Sequence, residues 1–304
     1  MILFLQCSRS STPDFSGDRA FDYLQKQCQL GPRNPGSEGH EKARNYLLDI
    51  LKSYTNLVKE ENFSFSAKGG STAPSGQAGR IDSLKRKEFN STNIIASFYP
   101  EETKRVLLCA HWDSRPFADQ EKDSSLHSQA ILGANDGASG VAVLLEIASI
   151  ISKKKPKWGV DVVLFDAEDY GSEQSGIDYC LGSKYFAKNL GEYRPFFAIL
   201  LDMVGDKDLA IYKEGYSQLY AERVNNLIWK TAFELKIENF KDSVKHFIVD
   251  DHLSLISAGI PCADLIDFDY PYWHTLSDTP DKCSPRNLEK VGKVITKILY
   301  DGKL

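Results

Sequence analysis

Six residues of this chain have side chains suited to a metal-dependent reaction centre: His111, Asp136, Glu168, Asp169, Asp202 and His274. Their placement carries the argument. His111-Trp-Asp113 follows the apolar run 105–110, and Asp166-Ala-Glu168-Asp169 follows the run 160–165. Asp202 follows the run 196–201, while the run 260–266 leads into an aromatic loop ending at Trp273-His274. Asp136 stands in a Gly-rich turn, residues 133–140, that opens a helical pattern. Asp136, Asp169 and Asp202 are separated by equal steps of 33 residues, close to the length of one strand–helix–strand unit of roughly 30 residues. In a parallel sheet such strand ends share one edge, and the carboxyl edge is where ligands bind. Carboxylates gathered in a water-poor pocket repel one another and take up protons unless a cation holds them. Imidazole mixed with carboxylate suits zinc better than calcium or magnesium. Taken singly, each residue has a plainer job. Asp136 before Gly137 can cap the helix at Ala138, and Asp202 can also be a cap. Glu168-Asp169 can be a solvated turn, and either histidine a surface or core residue. Their repetition at successive strand ends is what predicts one metal-holding pocket.

The elements that must position them follow from periodicity. Apolar spacing predicts amphipathic helices over 18–30 and 37–55, divided by the breaker cluster Gly31-Pro-Arg-Asn-Pro-Gly36. Further helices are predicted over 138–152, 183–189, 217–235 and 285–300. Residues 60–66 alternate weakly, as an edge strand does. The runs 93–98, 105–110, 160–165, 196–201 and 260–266 are apolar enough to be strands buried on both faces. Helices alternating with such strands define an α/β fold, a three-layer sandwich whose mixed, largely parallel central sheet is flanked by helices. We read residues 18–304 as one domain and 1–17 as a disordered tail. Residues 67–89, rich in Gly, Ser and Lys, read as a surface excursion. No internal repeat is present.

Composition narrows the function classes. Lys+Arg 37 against Asp+Glu 42 gives a net charge of −5, which removes the electrostatic reason to expect nucleic acid or an anionic membrane as partner. No apolar run approaches the roughly 18 residues of a transmembrane span. The six cysteines lie far apart with no CxxC pair, which excludes a Cys-rich zinc module. Cys109 and Cys262 sit in apolar runs and read as inert core thiols; whether Cys180 pairs with Cys283 is open. The apolar start ending at Cys7 reads either as the tail of a bacterial lipoprotein signal, with Cys7 lipidated, or as a frayed terminus. We lean toward export, to the periplasm or to a lipid anchor. The Lys-rich stretch 153–157 is a solvated loop.

The motifs together resemble a known family. His111-Trp-Asp113, Asn135-Asp136-Gly, Glu168-Asp169, Leu201-Asp202-Met-Val-Gly205 and Trp273-His274-Thr are similar to those of the zinc-dependent aminopeptidase family M28, and the cluster 31–36 fits its amino-terminal motif. Two chemistries occur in that family. Aminopeptidases hold two zinc ions and hydrolyse peptides. Glutaminyl cyclases hold one and convert amino-terminal glutamine to pyroglutamate with release of ammonia. Trp273 directly before His274, and Asp250-Asp251-His252 followed by Gly259-Ile-Pro261, resemble the cyclases. Tyr170-Gly-Ser and Cys180-Leu-Gly-Ser-Lys-Tyr resemble their bacterial branch.

The resemblance implies one zinc ion held by Asp136, Asp169 and His274, with Glu168 as general acid/base. It implies that Asp202 and Asp250 share the hydrogen-bond network of Glu168, and that Trp273 walls the substrate pocket. The expected substrates are peptides or proteins with amino-terminal Gln, and the expected state is a monomer. For a dizinc aminopeptidase, the alternative, His111 and Asp202 become ligands of a second zinc. A non-catalytic binding protein of the same fold has no need of Glu168. Two departures stand out. Animal cyclases have Glu-Glu where this chain has Glu168-Asp169, and they carry an additional Trp nearby that is absent here. Tyr270 and Tyr272 read equally well as core packing, Trp112 as packing beside His111, and His252 as a loop residue. Asp113 is expected to orient His111 or a neighbouring backbone.

Overall fold

The segment Arg105-Val-Leu-Leu-Cys-Ala-His111 shows how the layers arise. In the computed structural model, which describes residues 12–68, 86–171 and 179–302, Val106, Leu108 and Ala110 pack into one core, while Leu107 and Cys109 pack into another. Side chains alternate across a strand, so a run apolar at every position is buried on both faces. This strand, β3 (Arg105–His111), lies inside a six-stranded sheet with β1 (Val58–Lys68), β2 (Arg86–Phe98), β4 (Gly159–Phe165), β5 (Phe197–Asp202) and β8 (Cys262–Ile266). The order is β1-β2-β4-β3-β5-β8. β4, β3, β5 and β8 run parallel, and β2 and β1 continue antiparallel at one side. A separate parallel pair joins β6 (Ile211–Lys213) to β7 (Phe240–Val244).

Helices cover both faces. On one side α3 (Ala138–Lys153) packs with α1 (Gly17–Gln29), α2 (Glu38–Tyr54) and α8 (Pro285–Asp301), and α6 (Glu222–Glu234) packs on α8. On the other, α4 (Leu181–Lys188) packs against α7 (Asp251–Ser257), and the short α5 (Gly215–Tyr220) lies beside β8 and α7. The mixed, largely parallel three-layer α/β fold is as expected. α3 is buried from Ala138 to Ile151, as a helix apolar all round must be. It approaches β5 so closely that a Cβ on Gly140 would stand 2.1 Å from the Leu201 carbonyl oxygen. Its buried Glu146 accepts a 2.9 Å hydrogen bond from Arg19 Nε on α1.

Three expectations are corrected. Order begins before residue 18: Ser16 caps α1, and Phe15 is buried against α8. The excursion is shorter than 67–89, because residues 86–89 are already β2, paired with residues 65–68 of β1. There Phe65, Phe89 and Tyr170 form a small apolar cluster that few apolar residues in the sequence announced. Residues 69–85, like Cys7, lie outside the described residues. The helix expected over 217–235 breaks at Ala221, which ends α5 and begins α6. The short β6–β7 pair and α7 lacked a period long enough to detect.

Candidate metal centre

The carboxyl ends of the four parallel strands supply the site. β3 ends at His111 and β5 at Asp202, while β4 leads into Asp166–Asp169 and β8 into the loop reaching His274. The turns that aim these residues are conformationally demanding. Ala167, Met203 and His274 adopt left-handed backbone at φ 54°, 46° and 54°, a region costly for residues with a side chain and one that clusters at functional sites. Asp136 arrives on the turn before α3. The helix is capped at Gly137 without a side-chain bond, so Asp136 is not the cap its local sequence suggests.

Two donor sets converge, each with its atoms within 4.8 Å of one another: Asp136, Asp169 and His274, and His111, Asp136 and Asp202. His274 Nε2 stands 3.1 Å from Asp169 Oδ1 and 3.7 Å from Asp136 Oδ2. His111 Nε2 stands 3.1 Å from Asp202 Oδ1 and 3.2 Å from Asp136 Oδ1. Asp136 belongs to both. All five side chains are buried, and Asp136 Oδ2 and Asp169 Oδ2 have no hydrogen-bond partner. Orphaned carboxylate oxygens inside a protein are costly unless a cation occupies the space they face, so these donors fit a metal ion of zinc's ligand preference.

Surrounding residues hold the donors in place. His274 turns Nδ1 to Asp119 Oδ1 at 3.2 Å, leaving Nε2 for the centre, as the carboxylate–histidine arrangement of metal sites requires. Arg115 grips Asp119 through Nε (2.9 Å) and Nη2 (2.6 Å), and its Nη1 donates to the carbonyl oxygens of Asp169 and Gly171, each at 2.9 Å. Asp113 accepts from the backbone N–H of Glu168 (3.1 Å) and Asp169 (3.2 Å), with His111 Nδ1 3.6 Å away. Of the two roles expected of it, holding neighbouring backbone is the one its hydrogen bonds show; His111 Nδ1 makes no hydrogen bond. Asp278 accepts from Asn135 N–H (2.8 Å), Asp136 N–H (3.1 Å) and Tyr270 hydroxyl (2.7 Å). Trp112 is buried, donates to Thr92 O and stacks on His40. Arg115, Asp119 and Asp278 escaped the sequence reading. The first two look like an i,i+4 surface pair and the third like a turn acid, and no local signal separates them from those commoner cases.

Above the donors lies a cavity of about 300 Å³ lined by Asp136, Glu168, Asp169, Asp202, Asp250, Trp273 and His274, among others. His111 lies behind its floor. Trp273 stacks on His274 with ring centres 3.8 Å apart, and Tyr179, Phe247, Ile248, Val249 and Phe268 complete an apolar wall. Burial, then the charge of Asp169, pushes the Glu168 carboxyl well above its ordinary range. Burial and Asp202 raise Asp250 to about 7, and burial also raises Asp202. His111 has its proton affinity lowered by burial and raised, more strongly, by Asp113, Asp136 and Asp202. For His274 burial is likewise outweighed by Asp169 and Asp119, giving about 9.

One expected link differs. The hydrogen bond that Glu168 Oε1 accepts comes from Cys180 Sγ at 3.2 Å. Asp202 is bonded to His111, and Asp250 caps α7 through the Asp251 N–H. His252 is no loop residue; it is wholly buried on α7 between Glu214 (3.1 Å) and Asp264 (3.5 Å). Cys180 and Cys283 are free thiols.

Fold and site together define an α/β sandwich with a candidate metal centre at the carboxyl edge of its parallel strands. Comparison with known proteins gives the family. The profile of peptidase family M28 matches residues 93–299, and the chain belongs to that family. Among solved structures, Tannerella forsythia glutaminyl cyclase is 38% identical with a TM-score of 0.85, covering 96% of this chain and 100% of that one. A leucine aminopeptidase precursor from Bacteroides thetaiotaomicron is 36% identical with a TM-score of 0.86, covering 96% and 99%. Aminopeptidase YwaD of Bacillus subtilis is 30% identical over 240 residues, 72% of this chain, and the chain spans only 47% of that protein's length. Among the described residues no helix is long and apolar enough to cross a membrane.

Proposed function

We propose that the chain is a glutaminyl-peptide cyclotransferase, converting the amino-terminal glutamine of peptides or proteins to pyroglutamate with release of ammonia. The observation that carries this reading is the pocket: buried acids at its floor, and an apolar wall led by Trp273 stacked on His274. Such a wall favours a glutamine side chain folded back on its own amine and keeps water from competing for the amide. The likeness to bacterial glutaminyl cyclases along nearly the whole chain supports it.

Asp136, Asp169 and His274 would hold one zinc ion, which supplies Lewis acidity toward the γ-amide carbonyl oxygen. Glu168 lies within the same cavity, and its raised proton affinity suits a group that must both take and give a proton near neutral pH. As the α-amine attacks the carbonyl carbon of the γ-amide, a C–N bond forms and the amine's proton passes to Glu168. Glu168 then returns it to the departing nitrogen as the C–NH₂ bond breaks, and ammonia leaves. Asp202 and Asp250 share the proton inventory of this buried acid group. Trp273 holds the substrate side chain against the site. We extend the proposal to an exported protein, the chemistry being one that acts on finished amino termini.

A second reading is supported by the His111, Asp136 and Asp202 donor set, which shares Asp136 with the first and would complete a dizinc aminopeptidase. The test is mass spectrometry of a peptide pool incubated with zinc-loaded protein, with members beginning in Gln, Leu or Ala. Ammonia loss confined to the Gln peptides is expected, with one zinc per chain. Trimming of amino-terminal residues, with two zinc ions per chain, would instead establish the peptidase.

A further inference from the structure

Glu168 is the central acid of the proposed reaction, yet neither Asp202 nor Asp250 holds it. Its carboxylate is gripped by Cys180, the N-cap residue just before α4. Cys180 Sγ lies 3.2 Å from Glu168 Oε1, and Cys180 N–H donates to the Glu168 carbonyl oxygen at 2.8 Å. The next residue repeats the clasp, Leu181 N–H donating to Ala167 O at 3.1 Å. Two of the chain's few left-handed residues with side chains, Ala167 (φ 54°) and Cys180 (φ 61°), flank this junction. Backbone held in that region persists only where its surroundings over-determine it. Glu168, Cys180 and Asp250 also form a buried group in which one polar atom of each lies within 4.8 Å of the others, and Asp250 Oδ2 has no hydrogen-bond partner. Free to rotate, the Glu168 carboxyl would have this second oxygen to approach and, once either acid is protonated, to bond.

We propose that Cys180 is a positioning residue for Glu168: its S–H donates to Oε1 and, with the backbone clasp, holds the carboxyl facing the substrate cavity and away from Asp250. The thiol is fitted for this. Burial, then the charges of Glu168, Asp251 and Asp250, keep it protonated and therefore a donor. It is 1% exposed, so it serves as a buried polar contact and not as a solvent-facing nucleophile.

The inference rests on the acid/base role assigned to Glu168, and the experiment separates the two. Turnover of a Gln peptide is measured for the wild type, Cys180→Ala, Cys180→Ser, Glu168→Gln and Glu168→Gln/Cys180→Ala, with bound zinc and Tm measured for each. Ala and Ser keep a Cβ, so the left-handed backbone is not newly strained. Loss of one hydrogen bond of modest net value predicts a fall in kcat of about 3- to 10-fold in Cys180→Ala, with KM and zinc content unchanged. Cys180→Ser, which retains a donor, recovers part of the loss. In the Glu168→Gln background the Cys180→Ala change has no further effect, because the group it positions no longer transfers protons. An unchanged kcat in Cys180→Ala overturns the proposal, as does the same fold loss in both backgrounds. If the wild type trims peptides and does not cyclise them, the cyclase reading fails, and the same cycle run on the peptidase rate still decides the role of Cys180.

Discussion

Glu214 offers a sharp test of how the floor of the site is held. It is buried at the amino end of α5, and every face of its carboxylate is used. Oε1 accepts from Tyr216 N–H (2.9 Å) and Ile248 N–H (3.2 Å); Oε2 accepts from Ser217 N–H (2.6 Å) and Ser217 Oγ (2.8 Å) and faces His252 Nε2 at 3.1 Å. Through Ile248 it pins the segment that lines the cavity and ends at Asp250. Glu214→Gln preserves shape but replaces one accepting oxygen by an NH₂. In either orientation at least one buried backbone N–H meets a donor, and His252 Nε2 no longer faces a carboxylate. At about 1–3 kcal/mol for each buried group left unsatisfied, the cost is about 3 kcal/mol.

The pH dependence gives an independent measure. Burial raises the Glu214 carboxyl, but His252 and the N–H groups of Ser217 and Tyr216 lower it more, to about 2 from an ordinary 4.5. A group whose proton affinity is depressed by folding contributes stability above its unfolded value and loses it as pH falls toward the folded one. Here that amounts to about 3 kcal/mol near neutral pH, at roughly 1.4 kcal/mol per unit. Urea unfolding of wild type and variant across this range is the assay. The gap should be about 3 kcal/mol near neutrality and should narrow as pH falls below about 4.5. A gap under about 1 kcal/mol at neutrality, or one that does not narrow in acid, would refute the reasoning.

Three further outcomes are expected. Glu168→Gln should lower kcat by about 10²- to 10⁴-fold while bound zinc stays constant; unchanged turnover would remove Glu168 from the chemistry. Asp119→Asn takes the carboxylate from His274 Nδ1 and should weaken zinc binding about 10- to 100-fold in a chelator competition, whereas equal affinity would show that Arg115 and packing alone orient the ring. Trp273→Ala removes the ring stacked on His274 and should raise KM for Gln peptides about 10-fold, and an unaltered KM would place the substrate side chain elsewhere.

Some residues could be read in advance and others could not, for reasons that differ. The runs at 105–110 and 160–165 were legible because a strand buried on both faces is apolar at nearly every position, and few other local structures are; the exceptions, Arg105 and Asp161, pair with each other. The candidate site residues were legible by position: His111 and Asp202 directly follow such a run, and Glu168 and Asp169 come within four residues of one, where a parallel sheet gathers its carboxyl ends. The break at Ala221 was hidden because residues on both sides keep a helical period. Residues 86–89 were hidden because this end of β2 pairs only with β1 and is exposed at 86–88, which gives it the composition of a loop.

Local sequence thus determined the layers, the buried parallel strands and the edge on which His111, Asp136, Glu168, Asp169, Asp202 and His274 meet, since burial writes itself into periodicity. Tertiary structure alone decided who supports them. Asp119 orients His274 from 155 residues away in the chain, Asp278 holds the Asp136 turn, Cys180 reaches Glu168, and Glu214 braces the segment leading to Asp250. Each is a polar group whose partner comes from another part of the fold. A buried donor demands an acceptor of the right geometry without regard to distance along the chain, so such pairings leave no period and no spacing to read.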